Sequence, residues 1–153
     1  MALAHCIYCS VASNPNFSPS DLQSLLEVSR AKNTRLGISG MLLYQDGTFF
    51  QVIEGELDIV ENLFNTIDGD TRHQKVTKII LEQIPRREFG DWTMGYANAT
   101  YKELQEIPGL SNFFAEGNSF MELGKSKSKV LLSAFKEGRW RTSLSPKDVV
   151  VRH

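Results

Sequence analysis

Apolar residues between positions 38 and 54 fall in two short runs, Met41–Tyr44 and Phe49–Ile53, separated by Gln45-Asp46-Gly47-Thr48. An Asp-Gly pair tolerates the positive φ that a two-residue turn demands, so the stretch predicts a β-hairpin over 38–54. Upstream, residues 4–12 read as a strand with Cys6, Tyr8 and Ser10 on one face and Ile7, Cys9 and Val11 on the other. Ser18-Pro19-Ser20-Asp21 then opens a helix, with serine as N-cap, proline at the first helical position and an acid shortly after. Leu22, Leu25, Leu26 and Ser29 share one face of that helix, which is expected to run out near Asn33. Leu57, Val60, Leu63, Phe64 and Ile67 make a second apolar stripe at helical spacing, with Gly69 as its stop. Residues 75–84 and 92–97 read as strands, the first ended by Pro85. Beyond them, 101–107 suggest a short helix, 108–124 irregular chain, and 126–137 a helix with Val130, Leu131, Ala134 and Phe135 on one side.

The order β-α-β-β-α-β-β predicts an α+β, ferredoxin-like sheet with two helices on one face. The hairpin strand is apolar on both faces, Phe49 and Ile53 on one and Phe50 and Val52 on the other, and so is the first strand. A sheet apolar on both sides must be covered on both, and the C-terminal third is expected to supply the second cover as a helical cap. The 153 residues suit one hydrophobic core. Residues 1–98 carry the ferredoxin-like part and 99–153 the helical extension, with no linker, repeat or low-complexity tract between them.

Charge changes the picture only at the C-terminal end. The formal net charge is −1, yet residues 125–153 hold eight of the 17 Lys/Arg and only two of the 18 Asp/Glu. Such a basic segment is either a solvated face or a surface that docks an acidic partner. No apolar run reaches the ~18–20 residues needed to cross a membrane. No charged-then-apolar signal pattern opens the chain, so a cytoplasmic location is expected. Cys6 and Cys9 have C-x-x-C spacing, but on a strand residues three apart face opposite ways, which argues against a metal or redox pair. His5, His73 and His153 show no ligand spacing.

The candidate chemistry is uncharged. Parity brings Tyr8 and Gln51 to one face of adjacent inner strands, and Asn33, expected just past the first helix, could lean over the same edge. Tyrosine, glutamine and asparagine donate and accept hydrogen bonds without charge, which suits a neutral polar heterocycle held between the helices. There is no Ser/His/Asp set, no spaced carboxylate pair and no phosphate-cradling glycine loop, so hydrolysis is disfavoured and no enzyme activity is expected. On spacing alone, a glutamine satisfied by its own neighbours is the competing reading.

Several motifs decide between them. I-Y-C-S at 7–10, A-K-N at 31–33, G-I-S-G-M-L-L-Y at 37–44, G-T-F-F-Q-V-I-E-G at 47–55, D-T-R-H at 70–73 and F-G-D-W-T-M at 89–94 occur in that order. Over residues 4–98 the chain resembles the BLUF family, blue-light sensors that use flavin. The resemblance implies a non-covalent flavin, FAD with FMN as the alternative. It implies that Tyr8 and Gln51 form a light-driven hydrogen-bond switch and that Asn33 holds the polar edge of the ring. It also implies that Leu25 and Ile67 sandwich the ring between the helices. Asp70, Arg72 and His73 match the corner near the ribityl and phosphate end, and Lys32 a position that varies among members. Trp92 and Met94 match a pair on the last strand whose inward or outward placement differs across the family. Ser39 replaces the more usual threonine and keeps the hydroxyl.

The implied output is a signal to a separate partner protein, with the basic C-terminal segment as contact surface and a homo-oligomer as the expected state. Direct nucleic-acid and membrane binding are not expected. A light-independent flavin-binding or interaction module is the alternative. An RNA-recognition reading of Phe49 and Phe50 lacks basic residues on the sheet. Arg86-Arg87 reads as a solvated turn.

Overall fold

The hairpin forms where the Asp-Gly signal places it, and the sheet grows outward from it. The computed structural model of the chain describes residues 2–12, 19–45, 47–69, 73–89, 95–98 and 104–136. Asp70, Arg72, Trp92 and Met94 lie outside the described residues. In chain order the elements are β1 (Leu3–Ala12), α1 (Pro19–Leu36), β2 (Ser39–Gln45), β3 (Thr48–Glu56), α2 (Leu57–Asp68), β4 (His73–Gln83) and β5 (Gly95–Asn98). They are followed by α3 (Ser111–Ala115), a 3-10 turn at Phe120–Glu122 and α4 (Lys125–Lys136). The strand order is β4-β1-β3-β2-β5. The first four strands pair antiparallel and give the ferredoxin-like order, whereas β5 runs parallel to β2.

Both faces of the sheet are apolar and both are covered. Cys6, Tyr8, Leu42, Phe49 and Ile53 pack with Leu26, Val60, Leu63 and Phe64 of the two helices. Ile7, Cys9, Leu43, Phe50 and Val52 pack on the opposite face with Leu104, Leu110, Phe114, Phe120 and Leu131 of the C-terminal cap. The Phe120 ring joins the layers, 6.0 Å from Phe50 and 6.3 Å from Phe114. Cys6 and Cys9 therefore sit on opposite faces. Burial raises their thiols to about 12 and about 11, which leaves neither a ready nucleophile.

Three boundaries differ from expectation. The first helix continues past Asn33 to Leu36, because Gly37 adopts φ +70° and Ile38 N–H donates to the Asn33 carbonyl at 2.9 Å. This six-to-one bond with a left-handed glycine closes the last turn, so Asn33 lies inside that turn rather than beyond the helix. The 108–124 stretch is more regular than its composition suggested. It holds α3 and a 3-10 turn capped by Ser119 and Glu122, whose side chains satisfy each other's backbone N–H groups. The fourth strand begins two residues earlier than expected, at His73.

Close packing of β2 on β3 sets a specific demand. A β-carbon at Gly40 would fall on the Val52 carbonyl of the neighbouring strand. Gly40→Ala should therefore force these central strands apart and cost more than ~2 kcal/mol, read as a lowered urea midpoint. Gly47→Ala, whose β-carbon meets nothing within 4 Å but whose φ is +82°, should cost only about 1 kcal/mol.

Candidate functional site

Tyr8 and Gln51 are directly opposed on β1 and β3. The bonds Leu57 N–H to Ala2 O and Ala12 N–H to Gly47 O, both 2.9 Å, set the phase of this ladder. Tyr8 and Gln51 therefore form a hydrogen-bonded pair, with Cα atoms about 5.5 Å apart and side chains on one face. That face is the one under α1 and α2. Tyr8 is fully buried, its ring edge-on to Phe64 of α2 at 5.4 Å, and the Lys78 ammonium lies 5.4 Å from the Phe64 centroid. Gln51 and Asn33 are buried as well, at 9% and 3% exposure. The last turn of α1, held by Gly37, thus brings a second primary amide to the face that carries the first.

Leu25 of α1 and Ile67 of α2 pack against this cluster but remain partly exposed, one from each helix, and Lys32 is half-buried beside Asn33. His73 heads β4 at the far end of β1, opposite Ala12. The sequence reading missed Arg30, one turn before Asn33 on α1, where burial lowers the guanidinium pKa and Glu27 opposes the shift. Its only sequence signal is the i, i+3 spacing to Asn33.

These residues fit the flavin that the motifs imply. Two buried amides and a phenol offer both donors and acceptors to a heterocycle edge, with no formal charge among them. Two aliphatic side chains left partly exposed, one on each helix, suit the faces of a flat ring.

The other face of the same strands carries a polar cluster that the sequence reading did not assemble. Glu54, fully buried, accepts from Ser39 Oγ at 2.8 Å and Phe89 N–H at 3.0 Å on Oε1, and from Glu88 N–H at 2.6 Å on Oε2. Arg87 donates through one nitrogen to Ser39 Oγ (2.9 Å) and the Glu54 carbonyl (3.2 Å), and through the other to the Gly37 carbonyl (2.7 Å). Arg87 is thus a latch between the β4–β5 connection and the β2–β3 pair, not a solvated turn; Arg86 alone stays exposed. A charged side chain finding three acceptors 33 to 50 residues away in sequence leaves no local signal. The Ser39 hydroxyl, which stands for the family's threonine, serves this latch on the cap side rather than the flavin side.

His5 lies on the cap side too, 7% exposed, with neither ring nitrogen hydrogen-bonded among the described residues. Its Nε2 is 3.7 Å from Glu82 Oε2, and Glu82 Oε1 pairs with Lys129 of α4 at 3.2 Å. Burial lowers the His5 pKa, with Glu82 and Glu54 pulling it back up and Lys129 adding to the fall. A folded pKa below the unfolded ~6.5 means that protonation favours the unfolded chain. Stability is then fully present above pH ~6.5 and declines below it by at most about 1.4 kcal/mol per pH unit. Urea midpoints near pH ~7.5 and ~5.5 should diverge, and His5→Phe should remove most of that difference.

A family match, described as BLUF, sensors of blue-light using FAD, extends over residues 3–95. The alpha subunit of the photoactivated adenylate cyclase of Euglena gracilis is 30% identical over 145 residues, 94% of this chain and 14% of that protein. The beta subunit from Euglena longa is 34% identical over 118 residues, 76% of this chain and 13% of that protein. The chain thus spans about one-seventh of the length of these curated relatives. The solved structure of BlsA in its ground state superposes with a TM-score of 0.74, at 27% identity over 88% of this chain and 87% of that one. The dark-state structure of BlrB, a BLUF protein, gives 0.65 at 30% identity over 87% and 97%. With Tyr8 and Gln51 opposed beneath two helices and this match over most of the sheet, the chain belongs to the BLUF family of sensors of blue light using FAD.

Proposed function

We propose that this chain is a blue-light receptor in which Tyr8 and Gln51 form the switch and the C-terminal cap passes its state to a separate effector protein. The observation that carries the proposal is the direct cross-strand opposition of Tyr8 and Gln51 on the buried face beneath α1 and α2. Bound flavin supplies a blue-absorbing ring that becomes a strong oxidant when excited. Tyr8, protonated at rest because phenols titrate near ~10, can release an electron and the proton on Oη together. Gln51 presents an acceptor on Oε1 and a donor on Nε2, so rotation or tautomerisation exchanges what it offers to Tyr8 and to a ring carbonyl. A donor newly turned to that carbonyl would shift absorption to the red. The change needs no covalent bond and reverts in darkness.

In this reading Asn33 holds the polar edge of the ring, Leu25 and Ile67 flank its faces, and Lys32 borders it. His73, with Asp70 and Arg72, is assigned to the ribityl and phosphate end. Trp92 and Met94 are the residues through which β5 would sense Gln51. Residues 1–98 act as sensor and 99–153 as transmitter. Without a catalytic set of its own the chain would work non-enzymatically, as a homo-oligomer in the cytoplasm. No helix among the described residues is long and apolar enough to cross a membrane.

The test is the absorption spectrum of protein purified in the dark, before and after blue light. A flavin spectrum that moves slightly red and recovers in darkness supports the receptor. Bound flavin without the shift would favour the light-independent module, and a preparation that stays colourless with added flavin would sink both.

A further inference from the structure

The sheet order leaves β4 with no neighbouring strand on its outer side among the described residues. The bond Ile84 N–H to Leu3 O at 2.9 Å sets the phase of the β1–β4 ladder. Ile80 and Glu82, opposite Ile7 and His5, therefore turn their backbone groups toward β1. Leu81 and Gln83 turn theirs outward. An exposed row of this kind is a template for another strand unless it is blunted.

The blunting is confined to one half of the strand. Register shifts interrupt the pairing between Cys9 and Val11 and between Ile7 and Tyr8, and Lys75 sits at φ +54° in the first of them. From Ile80 to Gln83 the register is unbroken. Beside this regular half runs an open groove of about 580 Å³, floored by residues 78–82 and walled by Lys125 and Lys129 of α4. A groove between an edge strand and a helix is the geometry by which domains take up an extended peptide as an additional strand.

Charge selects the occupant. Lys125 and Lys129 stand on the cap side of the edge, and Lys78, its ammonium over Phe64, on the α1–α2 side. Among the described residues the one carboxylate lining the groove, Glu82, is paired with Lys129. Side chains of an added strand alternate between the two sides, so acids at both parities would meet lysine. A second copy of β4 carries Lys75 and Lys78 against the single acid Glu82, a net positive strand that complements these lysines poorly. The chain's own residues 137–153 hold Arg139, Arg141, Lys147 and Arg152 against Glu137 and Asp148, which makes them a poor complement. We propose that the groove between the outer edge of β4 and α4 docks an extended acidic segment of the effector protein as a sixth strand of the sheet. The proposal rests on the reading of this chain as a sensor that signals to a separate protein, and it places the contact on the α4 lysines rather than along the whole basic segment.

The experiment uses the full flavin-loaded chain and a synthetic peptide of alternating glutamate and valine, with a lysine-valine peptide as control. Amide exchange is read residue by residue. The acidic peptide should slow exchange at Leu81 and Gln83 by roughly tenfold and leave Ile80 and Glu82, already bonded to β1, little changed. Lys125→Glu together with Lys129→Glu should weaken binding about tenfold while the flavin spectrum shows that the fold is kept. Absence of the alternating protection, or equal protection by the lysine peptide, overturns the proposal. So does slow exchange at these two amides in the free chain: if independent of concentration, the chain's own residues cover the edge, and if it rises with concentration, a second copy does. The light-induced shift is recorded on the same samples. Its loss with intact protection would count against the receptor reading alone, and a normal shift without protection against the docking surface alone.

Discussion

Tyr8→Phe is expected to bind flavin and to show no light-induced red shift. The substitution removes one oxygen and leaves the aromatic ring packed edge-on against Phe64. Loss of a single buried hydroxyl changes stability by about 1 kcal/mol, too little to unfold a domain of ordinary stability. Without a phenol, however, no group at this position can give up an electron and a proton together. Loss of a required proton donor typically costs two orders of magnitude or more, about 10²–10⁴, so the yield of red-shifted product should fall below detection. Gln51→Leu should give the same spectroscopic result for a different reason, since an aliphatic side chain of similar size cannot exchange donor for acceptor. A full-sized shift in either variant would remove the Tyr8–Gln51 switch from consideration, even if flavin were bound.

The largest loss of stability is expected at Glu54, on the opposite face. Glu54→Ala leaves the Ser39 hydroxyl and the Glu88 and Phe89 amides without their acceptor. It also removes the carboxylate next to the Arg87 guanidinium, which Ser39 links to it. Each buried donor left without its acceptor costs about 1–3 kcal/mol, so losing the acceptor of three donors at once should cost about 3–5 kcal/mol. For a chain of this size that corresponds to a fall in Tm of about 10 °C. Ser39→Thr should be nearly neutral, because the hydroxyl is all the latch uses. Ser39→Ala should fall between the two. Comparing thermal melts in the dark, followed by flavin absorbance and by circular dichroism, tests the ranking. A Glu54→Ala protein that melts with the wild type would show that Arg87 and the β4–β5 connection are held by something else.

The fold was legible wherever the signal is local. A strand with side chains at period two, a helix with a stripe at period 3.6 and an Asp-Gly turn each declare themselves within a dozen residues. The need for two covers followed from Phe49 and Phe50 being apolar neighbours on one strand. The residues assigned to the flavin were partly legible for the same reason: parity on β1 and β3 brings Tyr8 and Gln51 to one face. The sequence by itself thus determined the order of elements, the two apolar faces and the uncharged polar pair, Tyr8 and Gln51, on one of them. What only the tertiary structure decided concerns register and long-range acceptors. Asn33 enters the last turn of α1 through a backbone bond closed at Ile38. Arg87 finds Ser39, Glu54 and Gly37 across a loop, and His5 is lodged between Glu54 and Glu82. A buried polar group is satisfied by whatever the packed chain brings within ~3 Å, and that distance is set by the assembled sheet, not by spacing along the sequence.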